Sequence, residues 1–96
     1  MMPVLSRHAV SDLLNGIGWF DRISTGLGDR FETEFYAALN RVKDNPQHFA
    51  ADHHGFRPCR LQRFNAVLYF RLDGERIVVM GLFVSGQDAS VLQDRT

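Results

Sequence analysis

Four arginines, Arg57, Arg60, Arg63 and Arg71, stand close together in a chain whose eleven Lys and Arg balance eleven Asp and Glu. The net charge of zero excludes a generally cationic coat of the kind that binds nucleic acid non-specifically, so the cluster is a local feature. As a group the guanidinium ions suit an acidic partner and can neutralise developing anionic charge. They cannot move protons, because an arginine pKa stays above about 12. His48, His53, His54 and Tyr69 are the side chains available for that work.

Strand alternation places Arg57 and Arg63 on one face and Arg60 on the other, unless Pro58 or a bulge alters the parity. The plainer reading of any one arginine is a solvated charge guarding a sheet edge against aggregation. Asp52-His53-His54 hints at a metal, but adjacent histidines project differently. The i, i+4 or CxxC-type spacing of a closed zinc site is missing, so these residues read as a solvated loop and no metal or cofactor is expected. Cys59, the only cysteine, reads as a small core residue on a half-buried strand rather than a nucleophile. One cysteine excludes an internal disulfide framework, and with no charged-then-apolar leader it fits a reducing cytoplasm. No apolar run approaches the roughly 18 residues of a membrane span.

The elements that position these residues begin with a helix over 29–44. Phe31, Phe35, Ala38, Leu39 and Val42 form one apolar stripe, Asp29 with Glu32 suggests a capping box, and Asn45-Pro46 stops the helix. Before it, residues 2–5 read as a short strand, and Ser6 caps a helix through Val10, Leu13, Leu14, Ile17, Phe20 and Ile23. Gly16 and Gly18 weaken that helix, which is expected to lean on tertiary contacts and to bend or fray near Trp19. Trp19, Phe20 and Ile23 are read as core, with an exposed docking patch as the alternative. A turn over 25–28 makes the two helices an antiparallel hairpin that needs a sheet beneath it.

After a histidine-rich loop over 47–55 the period becomes that of strands. Residues 56–64 read as an edge strand because of Pro58, and 66–72 and 76–84 as a hairpin with an Asp73-Gly74 type I′ turn. That turn pairs Leu72 with Glu75, Phe70 with Ile77, Leu68 with Val79, Ala66 with Gly81 and Arg71 with Arg76. The first four pairs form a largely apolar face for the helices. Tyr69, Val67, Val78 and Met80 then lie on the opposite face, a candidate functional or partner-covered surface. Residues 85–96 read as a polar, irregular tail. The whole is expected to be one α+β domain over residues 1–96: an N-terminal strand, then an antiparallel two-helix hairpin packed on a mainly antiparallel sheet that contains a three-stranded C-terminal meander.

The order of these elements, with Leu27-Gly28-x-Arg30-Phe31, Asn45-Pro46, Arg60-Leu61-x-Arg63-Phe64 and Val67-x-Tyr69-Phe70, resembles the RelE/ParE superfamily of toxins from type II toxin–antitoxin, or plasmid stabilisation, modules. The resemblance spans residues 2–84. It implies a growth-inhibiting domain whose concave sheet surface and neighbouring loops act on a target, and which a cognate antitoxin segment blocks in a hetero-oligomer. RelE-like members cut mRNA in the ribosome, and ParE-like members poison DNA gyrase without chemistry of their own. His48, His53, His54 and Tyr69 match no catalytic motif of the family. Where RelE-like chains keep basic or aromatic catalytic residues near the C-terminus, this chain has Ser85-Gly86-Gln87-Asp88 and then residues 89–96. The departure weighs against the nuclease and favours the ParE-like, gyrase-directed reading. A non-toxic relative kept as a binding module is the third possibility. Arg57, Arg60, Arg63 and Arg71 are the expected target- or antitoxin-binding residues, receiving an acidic segment that folds on docking.

Overall fold

The computed structural model describes residues 2–84 and 89–95. Its elements run β1 (Pro3–Leu5), α1 (Arg7–Ile23), α2 (Leu27–Asp44), a 3-10 turn (Pro46–His48), β2 (Arg57–Arg60), β3 (Ala66–Asp73), β4 (Arg76–Val84) and a 3-10 helix (Ala89–Arg95). One four-stranded sheet has the order β1-β4-β3-β2, with β1 parallel to β4 and the other pairs antiparallel. The α+β arrangement, helical hairpin and C-terminal meander are as the sequence predicts.

Ser6 caps α1 as expected, accepting the Ala9 N–H at 3.1 Å, while its own N–H donates to Val79 O on β4. α1 continues past Trp19 to Ile23, and the hairpin closes on two glycines, Gly16 of α1 and Gly28 of α2. A Cβ on Gly16 would stand 2.6 Å from the Phe31 ring, and one on Gly28 only 2.4 Å from Ile17 O. α2 starts two residues earlier than expected, at Leu27. Asp29 is not its cap: Gly26, at φ 87°, holds that position without a side chain, and Asp29 lies in the first turn. The compensating acceptor comes across the hairpin, where Asp21 Oδ1 takes the Gly28 N–H at 2.8 Å.

The strands depart from the expected ones at the β3–β4 turn, in β4 and in β2. The β3–β4 turn is Gly74-Glu75, so Leu72 pairs with Ile77, Phe70 with Val79, Arg71 with Val78, and Asp73 with Arg76. Only Gly74 has positive φ (63°), as a type II′ turn requires, instead of the two consecutive positive values of type I′. A two-residue shift preserves which face each side chain takes, so the apolar face survives the error. Further along, Met80 is an extra residue on β4, and Leu68 pairs with Leu82 and Ala66 with Val84. β2 is also shorter than residues 56–64. The chain turns back after Leu61, whose N–H donates to Ala66 O, through Arg63 at φ 68°.

Facing the helices, Leu68, Phe70, Ile77, Val79 and Leu82 pack with Leu13, Phe31, Phe35, Ala38 and Val42 in the main core. The bulge turns both Met80 and Gly81 to the other side, where Met80, Phe83, Phe56 and Leu92 form a second buried cluster. Leu92 belongs to the tail read as irregular. Ala89–Arg95 is instead a 3-10 helix on the sheet's second face, while residues 85–88, also part of that tail reading, lie outside the described residues. Its anchor is Arg95, which pairs with Asp12 of α1 at 2.7 Å and donates to Met80 O at 3.1 Å. Asp12 in turn accepts the Leu82 N–H at 3.0 Å. Together they satisfy backbone groups along the stretch of β4 that β1, paired only with Ile77 to Val79, does not reach.

The close helix contact makes a contrast between glycines. Gly28→Ala is expected to lower stability by about 1–3 kcal/mol, because backbone rather than a yielding side chain opposes the added methyl. Gly18→Ala, with nothing nearer than Arg22 Nη1 at 3.6 Å, should raise it by up to about 1 kcal/mol. Thermal unfolding of the two variants checks both signs.

Candidate functional site

The sheet separates the four arginines. Cys59 is in the main core, so its alternate neighbours Pro58 and Arg60 face outward with Tyr69 and Arg71, and Arg57 faces inward. Arg57 Nη1 donates to Phe49 O at 2.5 Å, which ties the loop after the 3-10 turn to β2. Arg63 lies in the loop between β2 and β3, its Nη1 3.2 Å from Glu34 Oε1 on α2. Arg60 is exposed, and its carbonyl is occupied by Arg41 Nη2 at 2.6 Å, which covers part of the β2 edge. Arg71 is half-buried, and its Nε finds no hydrogen-bond acceptor among the described residues. Of the four expected binding residues, Arg60 and Arg71 therefore share one face, while Arg57 and Arg63 lie elsewhere.

That face is amphipathic. Tyr69 lies half-buried with its ring 5.8 Å from Phe83, and Val67 and Val78 are half-buried beside it. Val4 of β1 remains 42% exposed on the same side, because its partner Val78 belongs to that surface. The 3-10 helix covers Met80 and Phe83, with Tyr69 and Val78 packed beside them, while Arg60, on β2 level with Phe83, and Arg71, paired with Val78, flank that cluster at opposite ends of the meander.

The proton-transfer candidates are spread out. His48, His53 and His54 are exposed; the rings of His53 and His54 lie 4.0 Å apart, and that of His48 stands edge-on to Phe49. Among the described residues no hydrogen bond joins these rings to Tyr69 or to an arginine. The loop that carries them is organised by Asp52, whose Oδ1 accepts the N–H groups of His54 at 2.9 Å and Phe56 at 3.0 Å. Slight desolvation pushes the Asp52 carboxyl up, but those two amides and the neighbouring histidine charges hold it below its ordinary value. Among the described residues no three His, Cys, Asp or Glu side chains are grouped to share a metal ion.

Arg95 is a residue that reading the sequence misses. It is the basic group of the C-terminal region, but its guanidinium is committed to Asp12 and Met80 O and lies 5.1 Å over the Phe83 ring. No local pattern reveals a pair separated by 83 positions. The aromatic residues of α1 divide likewise: Phe20 joins the core against Phe31 and Phe64, whereas Trp19 and Ile23 stay 47% and 59% exposed.

Cys59 is buried 3.9 Å from Ala38 O. Burial pushes its thiol up, against the opposing influence of Arg41, so it remains protonated at neutral pH. Iodoacetamide at pH 7 should therefore alkylate the folded chain at least about tenfold more slowly than the urea-unfolded chain. Equal rates, followed by mass spectrometry, would show an accessible thiolate.

Among the described residues no helix is long and apolar enough to cross a membrane. No protein-family model matches the chain, and no curated protein matches it significantly. Among solved structures it is similar to the chromosomal ParDE toxin–antitoxin system from P. aeruginosa, with a TM-score of 0.75 and 18% identity over 88% of this chain and 96% of that one. At that identity the likeness is one of architecture, and it extends over nearly all of the other chain. The strand, helical hairpin and meander described above are thus a ParE-like fold.

Proposed function

We propose that this chain is the toxin of a type II toxin–antitoxin module, acting in the cytoplasm by binding an essential target, with DNA gyrase favoured. The observation that carries the reading is the near-complete structural likeness to a chain of a ParDE system. The dispersal of His48, His53, His54 and Tyr69 supports a binding toxin over a nuclease, since general acid–base catalysis needs its groups within hydrogen-bond reach of one substrate. A neutral chain with local basic groups also fits a single acidic protein partner better than a nucleic-acid backbone.

The antitoxin site in this reading is the outer sheet face. Arg71 has a buried Nε without an acceptor among the described residues, the Arg60 side chain is exposed, and Tyr69 and Val78 offer apolar contact between and beside them. An acidic, amphipathic antitoxin segment satisfies both requirements. Arg57 also has a buried Nε without an acceptor among the described residues, but it faces the helices and its Nη1 already donates to Phe49 O, so it is better assigned to holding the loop.

Induced expression without the antitoxin is expected to cause DNA breaks and filamentation while translation continues. Prompt translation arrest with cleaved mRNA would instead establish the ribosomal nuclease, and harmless expression a non-toxic relative. With the protein encoded beside this gene as the binding partner, Arg60→Glu with Arg71→Glu should weaken the complex by at least about tenfold, each lost charge-assisted hydrogen bond being worth about 1.5–3 kcal/mol. Unchanged affinity would place the interface elsewhere.

A further inference from the structure

On the side of the molecule where α2 begins, the β2–β3 loop and the first two turns of that helix enclose a cleft of about 560 Å³. Leu27 and Phe64 form apolar walls, Asp29 and Arg30 lie at the exposed rim, and Glu34 is at its side toward the core. Glu34 is the one buried charged residue among the described residues. A carboxylate removed from water needs a counter-charge, and Glu34 has a single one, Arg63 Nη1 at 3.2 Å.

The two partners are unequal. The Glu34 side chain is 12% exposed and the Arg63 side chain 83% exposed, so the anion is fixed in the wall while the cation reaches in from solvent by one contact. Arg63 is also the one non-glycine at positive φ among the described residues. Left-handed backbone is unfavourable for a side chain with a Cβ, and such positions collect at ligand clamps. The sign of the cleft follows from burial: the carboxylate acts through low-dielectric surroundings, whereas the exposed guanidinium ions are screened by water and salt. An anionic ligand is therefore disfavoured despite the two arginines at the rim.

We propose that this cleft is a receptor for an arginine side chain of a partner polypeptide, with Glu34 as the counter-ion and Arg63 as an internal guanidinium that the incoming one displaces. The charges permit the exchange. Asp29, Glu34, Arg30 and Arg63 sum to zero, and swinging Arg63 out leaves one net negative charge for one incoming cation. Phe64 offers a ring edge or face to a planar guanidinium, and the Thr33 hydroxyl, which donates to Asp29 O at 3.0 Å, keeps its oxygen free to accept an N–H. The guanidinium fork suits this mixture of carboxylate, hydroxyl and ring better than a compact ammonium. The site is distinct from the sheet face assigned above to the antitoxin and stands whether or not the toxin reading holds.

The test is a titration of the labelled, full-length protein with N-acetylarginine amide, following amide shifts of residues lining the cleft by NMR. Arg63→Gly removes the internal competitor at a backbone position glycine adopts without strain, so the fold should be kept. It is expected to bind the probe about tenfold more tightly than the parent chain. Adding Glu34→Gln to that variant should abolish the gain, and N-acetyllysine amide should bind more weakly than the arginine probe. No gain on Arg63→Gly, or a gain that survives Glu34→Gln, would overturn the proposal. A fall in the Tm of Arg63→Gly by more than about 5 °C without tighter binding would likewise overturn it, and would make the pair a structural staple between loop and helix.

Discussion

Phe31 is the side chain on which the packing depends. Gly16 of α1 leaves room for its ring where any Cβ would be 2.6 Å away, and the rings of Phe20 and Phe64 lie 4.7 and 5.4 Å from it. Phe20 and Phe64 touch each other at 5.0 Å, so the three rings join α1, α2 and the β2–β3 loop at one point. A close-packed interior transmits such a constraint, because no neighbouring void lets the ring relax. The same approach of the helices puts Gly28 against Ile17 O and brings Asp21 to the Gly28 amide, which replaces a conventional helix cap by a contact across the hairpin.

With the hairpin fixed over one sheet face, the other face is left to two different fates. Near the bulge, Met80 and Phe83 are covered by Leu92, and Arg95 with Asp12 occupies the backbone of β4 beyond the reach of β1. The side chains of this ion pair are only 15% and 16% exposed, and they bond to backbone groups as well as to each other, which offsets the cost of removing them from water. Around that cluster the face keeps a half-buried Tyr69 opposite the bulge, a half-buried Arg71, an exposed Arg60 and an exposed Val4. The bulge thereby helps build a covered centre on this surface, with uncovered basic residues around it.

The arginines illustrate how little clustering along a chain implies about clustering in space. Arg57 secures a loop, Arg63 spans to Glu34 on a helix, and Arg60 and Arg71 share the outer face of the sheet, at different levels along the strands. Their common positive charge is thus distributed over three sites with different partners. The histidines likewise form part of an exposed loop held by Asp52 rather than a convergent set.

What the sequence by itself determined were the features carried by local periodicity: two amphipathic helices, a cap at Ser6, a stop at Pro46, a meander and the face on which Leu68, Phe70, Ile77 and Val79 lie. These survive because side-chain direction repeats every 2 or 3.6 residues, so even a turn displaced by one position, which shifts pairing by two, preserves the face. The tertiary structure alone decided the features that depend on contacts between distant residues. The Met80 bulge, the Asp21 cap of α2, the folding of Ala89–Arg95 onto the sheet and the left-handed Arg63 all answer to partners far away in the chain. For Arg95 the partner is Asp12, at the opposite end of the molecule's sequence, and only packing brings the two charges within 2.7 Å.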